Sequence, residues 1–342
     1  MPNLHQYLSY ADPKAILPQG YKTADPVKFA AMLAAGPSDQ VFGSSENFSF
    51  FFQQAAIDAL AAALKPRFDD IRILVYLRRQ DRHACSHHQE GARPHRKPEG
   101  LLWGHALTAL PEPAAHQQLY LNYDHRVGLW ENAFGRDAVT MRVFDRTLLK
   151  DADVVADILS LMGIDPHGLA RVPDSNPTLG RLKATIGHLA NALLADGGVT
   201  LKLLRALPRH EDRMIPSASE AEQFLAPYRA GNRRLNQRLQ LTPFPDLFPD
   251  DFDDYPQTAS VDLTPAEAVD GLRAVIAALG EGSSAFQSLT PNDLRLAASA
   301  LQKTAPESAL RLVQAAAILR PTGPAILKLK AELEARQPAP AK

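Results

Sequence analysis

Hydrophobic positions recur along this chain with two different periods. Ile71-Arg72-Ile73-Leu74-Val75-Tyr76-Leu77 is short, rich in β-branched residues and bounded by charge, which predicts a strand over 72–77 buried on both faces. Residues 138–144 alternate apolar and polar and predict a second strand, and Gln40-Val41-Phe42-Gly43 predicts a brief third one stopped by Ser44-Ser45-Glu46-Asn47. Between these lie runs with helical spacing. They predict helices over 26–35, with Phe29, Met32 and Leu33 on one side, and over 48–64 and 80–89. Further helices are expected over 123–134, with Val127, Trp130 and Phe134 on one face, and over 151–162, closed by Gly163 as the residue after the cap. Residues 1–26 read as irregular and 91–113 as a long excursion loop. Strands alternating with helices predict an α/β layer fold with a parallel sheet.

Residues 178–240 read as mostly helical, and the acidic, proline-rich stretch 243–256 reads as the end of a domain. Beyond Ser260 the strand signal disappears. Thr264-Pro265-Ala266-Glu267 has an N-cap threonine, proline at the first helical position and a capping-box glutamate; Thr290-Pro291-Asn292-Asp293 repeats the grammar with Asp293. Helices are expected over 264–279, 291–303, 306–319 and 324–336. The expected organisation is an α/β domain over 1–258 and a small all-α appendage over 259–342. The appendage reads either as a plain helical hairpin extension or, from Ala309-Leu310 through Pro321, as loosely similar to a tetratricopeptide repeat.

Composition narrows the function classes. The chain has 342 residues, 45% hydrophobic and 22% charged, with a formal net charge of −1. No global charge draws it to nucleic acid or an anionic membrane, so any basic site must be local. Its single cysteine, Cys85, excludes an internal disulfide and fits a reducing compartment. No apolar run approaches the ~18–20 residues that span a bilayer, and Met1-Pro2-Asn3-Leu4-His5-Gln6 does not open like a signal peptide. A soluble, cytoplasmic protein is expected.

The candidate chemistry centres on the end of the 72–77 strand. Arg78 and Arg79 follow it, a helix begins at once, and Ser86 lies eight residues after Arg78. Ligands of open α/β sheets sit outside the carboxyl ends of strands. Helix N-termini favour phosphate, and a guanidinium grips phosphate oxygens in pairs. The segment therefore reads as half of a phosphate site. The competing reading is that the arginines cap the strand and form surface ion pairs. Glu46 is the candidate general base for a hydroxyl acceptor, weighed against a helix-capping role with Ser45. His83, Cys85, His87 and His88 cluster, and His83 and His87 share a helix face, but no HExxH or acidic third ligand accompanies them, so no metal is assigned. Trp103, in the excursion loop, is the candidate acceptor-side aromatic.

Tyr76-Leu77-Arg78-Arg79-Gln80-Asp81 followed by Ser86 resembles the 3′-phosphate-binding segment of sulfotransferases, in particular the bacterial carbohydrate-type branch. Further segments fit that branch in order: Asn122-Tyr123-Asp124 with Trp130 to Gly135, Arg142-Val143-Phe144-Asp145-Arg146, the helix Asp153 to Leu159, and Phe224-Leu225 through Asn232 with Leu247-Phe248 and Asp251-Phe252. The resemblance covers about residues 38–255. It implies a P-loop-like parallel-sheet fold and 3′-phosphoadenosine 5′-phosphosulfate as co-substrate, with Arg78 and Ser86 on its 3′-phosphate. It also implies transfer of a sulfuryl group to a hydroxyl of a glycan or small molecule. One element of the family is missing: no strand, Gly-rich loop and helix precede Glu46 to hold the 5′-phosphosulfate, so the chain reads as starting after the family's first β-α unit. Pro18-Gln19-Gly20-Tyr21-Lys22-Thr23 offers one glycine before Lys-Thr with no strand ahead of it. The alternative is therefore a catalytically impaired relic acting as a nucleotide-binding module, or as a protein-interaction module through 259–342.

Overall fold

The structure is a computed structural model that describes residues 4–10, 20–36, 38–94, 96, 103–170, 178–194, 197–280, 290–303 and 306–335. It is a mostly helical α/β protein with a small parallel sheet. The chain divides into two compact units, each assembled from separated stretches: 1–83, 112–173 and 222–252 in the first, 84–111, 174–221 and 253–342 in the second.

The first unit carries the four strands found among the described residues. β1 (Leu8–Tyr10) and β2 (Tyr21–Thr23) form an antiparallel pair, Leu8 opposite Thr23. This pair replaces the irregular segment expected over 1–26; at three residues per strand there is too little alternation for a sequence pattern to register. β3 (Ile73–Leu77) and β4 (Val139–Val143) pair in parallel, in register from Ile73 opposite Val139 to Leu77 opposite Val143. Among the described residues these two strands are the whole sheet. The strand expected over 40–43 does not form. That segment has no ladder partner, and Val41 and Phe42 stay 40% and 43% exposed.

Around the sheet lie α1 (Pro26–Ala34), α2 (Gln54–Leu64), the start of α3 (Gln80–Glu90), α4 (Ala115–Leu121), α5 (Tyr123–Phe134) and α6 (Val154–Leu161). The helix expected over 48–64 is broken into a 3-10 turn, Glu46–Phe50, and α2. The break has a packing reason. Phe50 stacks on Tyr120 at 4.8 Å while its neighbour Phe51 packs on Trp130 at 5.9 Å, and extended backbone at Phe51 and Gln53 lets consecutive aromatic rings bury on different neighbours. The helix expected from 151 starts later, at Val154, because Asp153 caps it by accepting from the N–H groups of Val155 and Ala156. Gly163 follows at φ +67°, as a residue after the cap should. The core joins Phe29, Ile57, Leu60, Tyr123, Trp130, Met141 and Leu235, the last from α10 (Arg229–Leu239).

The second unit takes the rest of α3 with α7 (Arg181–Leu193), α8 (Gly197–Ala206) and the first half of α9 (Ala218–Leu225). Its last part is α11 (Pro265–Gly280), α12 (Pro291–Leu301), α13 (Pro306–Leu319) and α14 (Pro324–Glu334), within a few residues of the expected bounds. Both capping boxes form: Thr264 with Glu267, and Thr290 with Asp293. α12, α13 and α14 share a core of Ala298, Leu301, Val313, Ala316, Ile326 and Leu329. Gly187 on α7 is a place where only glycine fits: a Cβ there would stand 2.1 Å from the carbonyl oxygen of Ala92.

Candidate functional site

The carboxyl end of β3 delivers two arginines with different fates. Arg79 is 4% exposed and fully engaged. Its guanidinium grips Asp81 through two bonds of 2.8 and 2.9 Å, donates to the carbonyls of Pro249 and Asp251, and lies 4.5 Å over the ring of Phe252. Arg79 is architecture, through a buried ion pair where the competing reading expected surface ones. Arg78 stands half-buried between β3 and α3, and its carbonyl accepts from the Tyr123 hydroxyl at 2.8 Å. The first turn of α3 is anchored beside it. Gln80, fully buried, exchanges two hydrogen bonds with Asn232, at 2.7 and 3.0 Å, and donates to the carbonyl of Leu121. Ser86 is exposed on α3, in the stretch belonging to the second unit, whereas Arg78 belongs to the first.

Next to Arg78 runs a connected set of polar groups absent from the sequence expectations. Tyr123 donates to the Arg78 carbonyl, so its oxygen is left to accept from His83 Nδ1, 2.8 Å away. In the neutral imidazole this leaves Nε2 as the acceptor for the Tyr120 hydroxyl at 3.1 Å. The bonds therefore run in one direction, from Tyr120 through His83 and Tyr123 to the backbone of Arg78. Burial raises the Tyr120 hydroxyl, Arg126 pulls it back and the Glu46 carboxylate pushes it further up. Burial raises Tyr123 well above the ordinary tyrosine range. Both phenols thus stay protonated and can donate. Arg126 lies over the Tyr120 ring at 4.7 Å and donates to its carbonyl at 2.7 Å.

Glu46 opens the Glu46–Phe50 turn and is exposed; Ser45 caps that turn by accepting from Asn47 at 3.3 Å. The capping role weighed for this pair is present at Ser45, and the Glu46 carboxylate faces solvent and acts on Tyr120. The carboxyl end of β4 contributes Asp145. Burial opposes its ionisation, but bonds from the Thr147 hydroxyl and N–H, with Arg82 and Arg79 nearby, hold its pKa below the usual range. Arg142, of the second resemblance segment, is consumed by structure. It forms a two-point bridge to Asp157 at 2.7 and 3.0 Å, and Tyr76 donates to the same carboxylate at 2.6 Å.

His83 and His87 are not a ligand pair, since both ring nitrogens of His83 are held by phenols. Among the described residues no three His, Cys, Asp or Glu side chains converge as a metal site. Trp103, the expected acceptor-side aromatic, is instead 5% exposed and donates to His87 Nδ1 at 3.2 Å. His88 is fully buried and stacks on His188 at 4.2 Å, so it lines no open surface. Lys22 and Thr23 belong to β2, with Thr23 buried, which is not the setting of a phosphate loop; Pro18, Gln19 and His95 lie outside the described residues. A signal for the phenol–imidazole set was available: Tyr120 and Tyr123 are three residues apart, close to the Asn122-Tyr123-Asp124 segment.

No family model matches the chain, and no solved structure matches it. An uncharacterised protein of Archaeoglobus fulgidus is 27% identical over 124 residues, and the match spans about a third of each chain, 34%.

Proposed function

We propose that the chain binds 3′-phosphoadenosine 5′-phosphosulfate at the carboxyl end of β3 and transfers its sulfuryl group to a hydroxyl of a glycan or small-molecule acceptor. One observation carries the reading. Arg78 stands between the carboxyl end of the parallel strand β3 and the start of α3. Strand ends of parallel sheets and helix starts are where phosphates are held. The resemblance gives the 3′-phosphate roles: Arg78 as the two-point cation and Ser86, on α3, as a hydroxyl donor. In the transfer the acceptor oxygen bonds to sulfur, the bond from sulfur to the bridging phosphate oxygen breaks, and the acceptor proton goes to a base. Glu46 takes that base role, exposed and next to the Tyr120–His83 set.

A second reading, a nucleotide-binding or protein-interaction module without transfer, is favoured by the setting of Lys22 and Thr23 in β2. Among the described residues no Gly-rich loop supplies backbone N–H groups for a phosphosulfate. Calorimetric titration of 3′,5′-adenosine bisphosphate tests both. Wild type is expected to bind, and Arg78→Ala to lose about 2 kcal/mol, on the order of thirtyfold in affinity. Absence of binding by wild type sinks the nucleotide reading. Binding without sulfate transfer to any of a panel of hydroxylated acceptors selects the module.

A further inference from the structure

β3 is a strand whose sequence and surroundings disagree. Five consecutive apolar residues, Ile73 to Leu77, suit a strand in the middle of a sheet. Yet among the described residues only β4 pairs with it, and Ile73, Leu74, Val75 and Tyr76 are left half-buried. A cleft of about 380 Å³ lies within the first unit against this strand. Every residue from Asp70 to Leu77 lines it. A cavity over one face of a strand would touch alternate residues, because side chains alternate between faces. An unbroken run means that the cleft follows the strand's edge.

The hydrogen-bond register identifies the groups on that edge. The N–H of Phe144 donates to the carbonyl of Leu77, so Leu77 faces β4, and with it Val75 and Ile73. The N–H and C=O groups of Leu74 and Tyr76 therefore point the other way, into the cleft. Its apolar walls include Phe29, Leu60, Phe68 and Val127, which cannot bond to those groups. Arg126 also lines it. Its Nε is buried without a partner, and no carboxylate pairs with its guanidinium among the described residues. Burial lowers its pKa, as expected for a cation without a counter-charge.

We infer that the free edge of β3 is a strand-addition site, where an extended apolar segment of another polypeptide, bearing one carboxylate for Arg126, pairs with Leu74 and Tyr76. Backbone bonds along an open edge supply affinity in this mode, and alternate side chains fill the apolar walls. The recess favours a single segment over the edge of another folded sheet. The half-buried guanidinium, with its Nε shielded and unpartnered, asks for an acidic residue on the incoming strand.

The test uses the full chain and a synthetic peptide with a five-residue valine/isoleucine core and one terminal glutamate, kept soluble by flanking serines. Calorimetry is expected to show binding, and hydrogen exchange to slow at the amides of Leu74 and Tyr76. Replacing the peptide's glutamate by glutamine should weaken binding to wild type at least about tenfold. The same replacement should change little against Arg126→Gln. Three results overturn the inference. One is no binding. Another is a chain that sediments as a dimer with Leu74 and Tyr76 already protected, which assigns the edge to a second copy. The last is dodecanoate displacing the peptide and binding as tightly without protecting the two amides, which assigns the cleft to a small apolar anion.

Discussion

Neighbouring arginines illustrate how residue type leaves a role open. Arg79 and Arg142 both serve architecture, each through a two-point bridge to a buried aspartate, whereas Arg78 is held by its backbone beside a polar relay. Spacing alone does not separate these cases, because the aspartate that captures Arg142 is Asp157, fifteen residues on and in another element. The same bridge sets an acid limit on the first unit. Bonds from Arg142, against the opposing effect of burial, hold the Asp157 carboxyl at about 2 from an ordinary 3.8. The unfolded chain therefore takes up this proton more readily. The stabilisation is complete above about pH 4 and is lost as pH falls toward 2. Asp157→Asn is expected to cost about 2 kcal/mol at neutral pH. In urea unfolding between pH 7 and pH 2 the variant should also lose less stability with acid than wild type does.

At the scale of elements, the features written into short windows were the most legible. Thr264, Thr290 and the prolines after them mark helix starts that the structure reproduces with both capping boxes. Windows failed where side chains from distant elements decided, as at Phe50 to Gln53, where Tyr120 and Trp130 draw adjacent rings to separate neighbours. The histidines of the second unit belong to this class. His88 from α3, His188 from α7 and His105 from the loop after Trp103 meet, with His88 and His188 fully buried. Burial lowers all three, His88 to about 4 and His188 to about 2; the neighbouring imidazoles push His188 down further, and backbone bonds to Ala106 and Thr108 oppose the shift of His88. Their stabilisation as neutral rings is present above about pH 6.5 and is lost as pH falls toward 4, since below 6.5 the unfolded chain binds more protons. Of the two tryptophans, Trp103 lies in the second unit and Trp130 in the first. In a Trp130→Phe variant, Trp103 fluorescence is therefore expected to report a urea midpoint that drops steadily between pH 6.5 and 4; a midpoint flat across that window contradicts neutral burial.

At the scale of the whole molecule, the helices after Ser260 are bound into the second unit by specific contacts. Arg181, 8% exposed, bridges Glu267 at 2.6 Å and donates to Ser260 at 2.7 Å, while Ala274 and Leu263 pack with Leu182, Leu204 and Leu207. Removing residues 259–342 strips a buried guanidinium of its nearer carboxylate and leaves it only Asp212 at 3.5 Å, a loss of about 3 kcal/mol, and uncovers that apolar cluster. The truncated chain is expected to bind the apolar-surface dye anilinonaphthalene sulfonate and to lose exchange protection in α7; a truncation that stays protected and dye-free overturns this account. Local composition and spacing determined where most helices and the parallel strand pair form, because caps, glycine stops and apolar periods act within a few residues. They also marked Arg78, Ser86 and Glu46 as groups able to handle an anion and a proton. Only the tertiary structure decided that Arg79 is spent on Asp81 and the 249–252 segment, which phenols and imidazole line up behind Arg78, and that among the described residues β3 pairs with β4 alone. Those outcomes depend on partners tens to more than a hundred residues away, and no local pattern encodes which of several chemically equivalent partners the folded chain brings within reach.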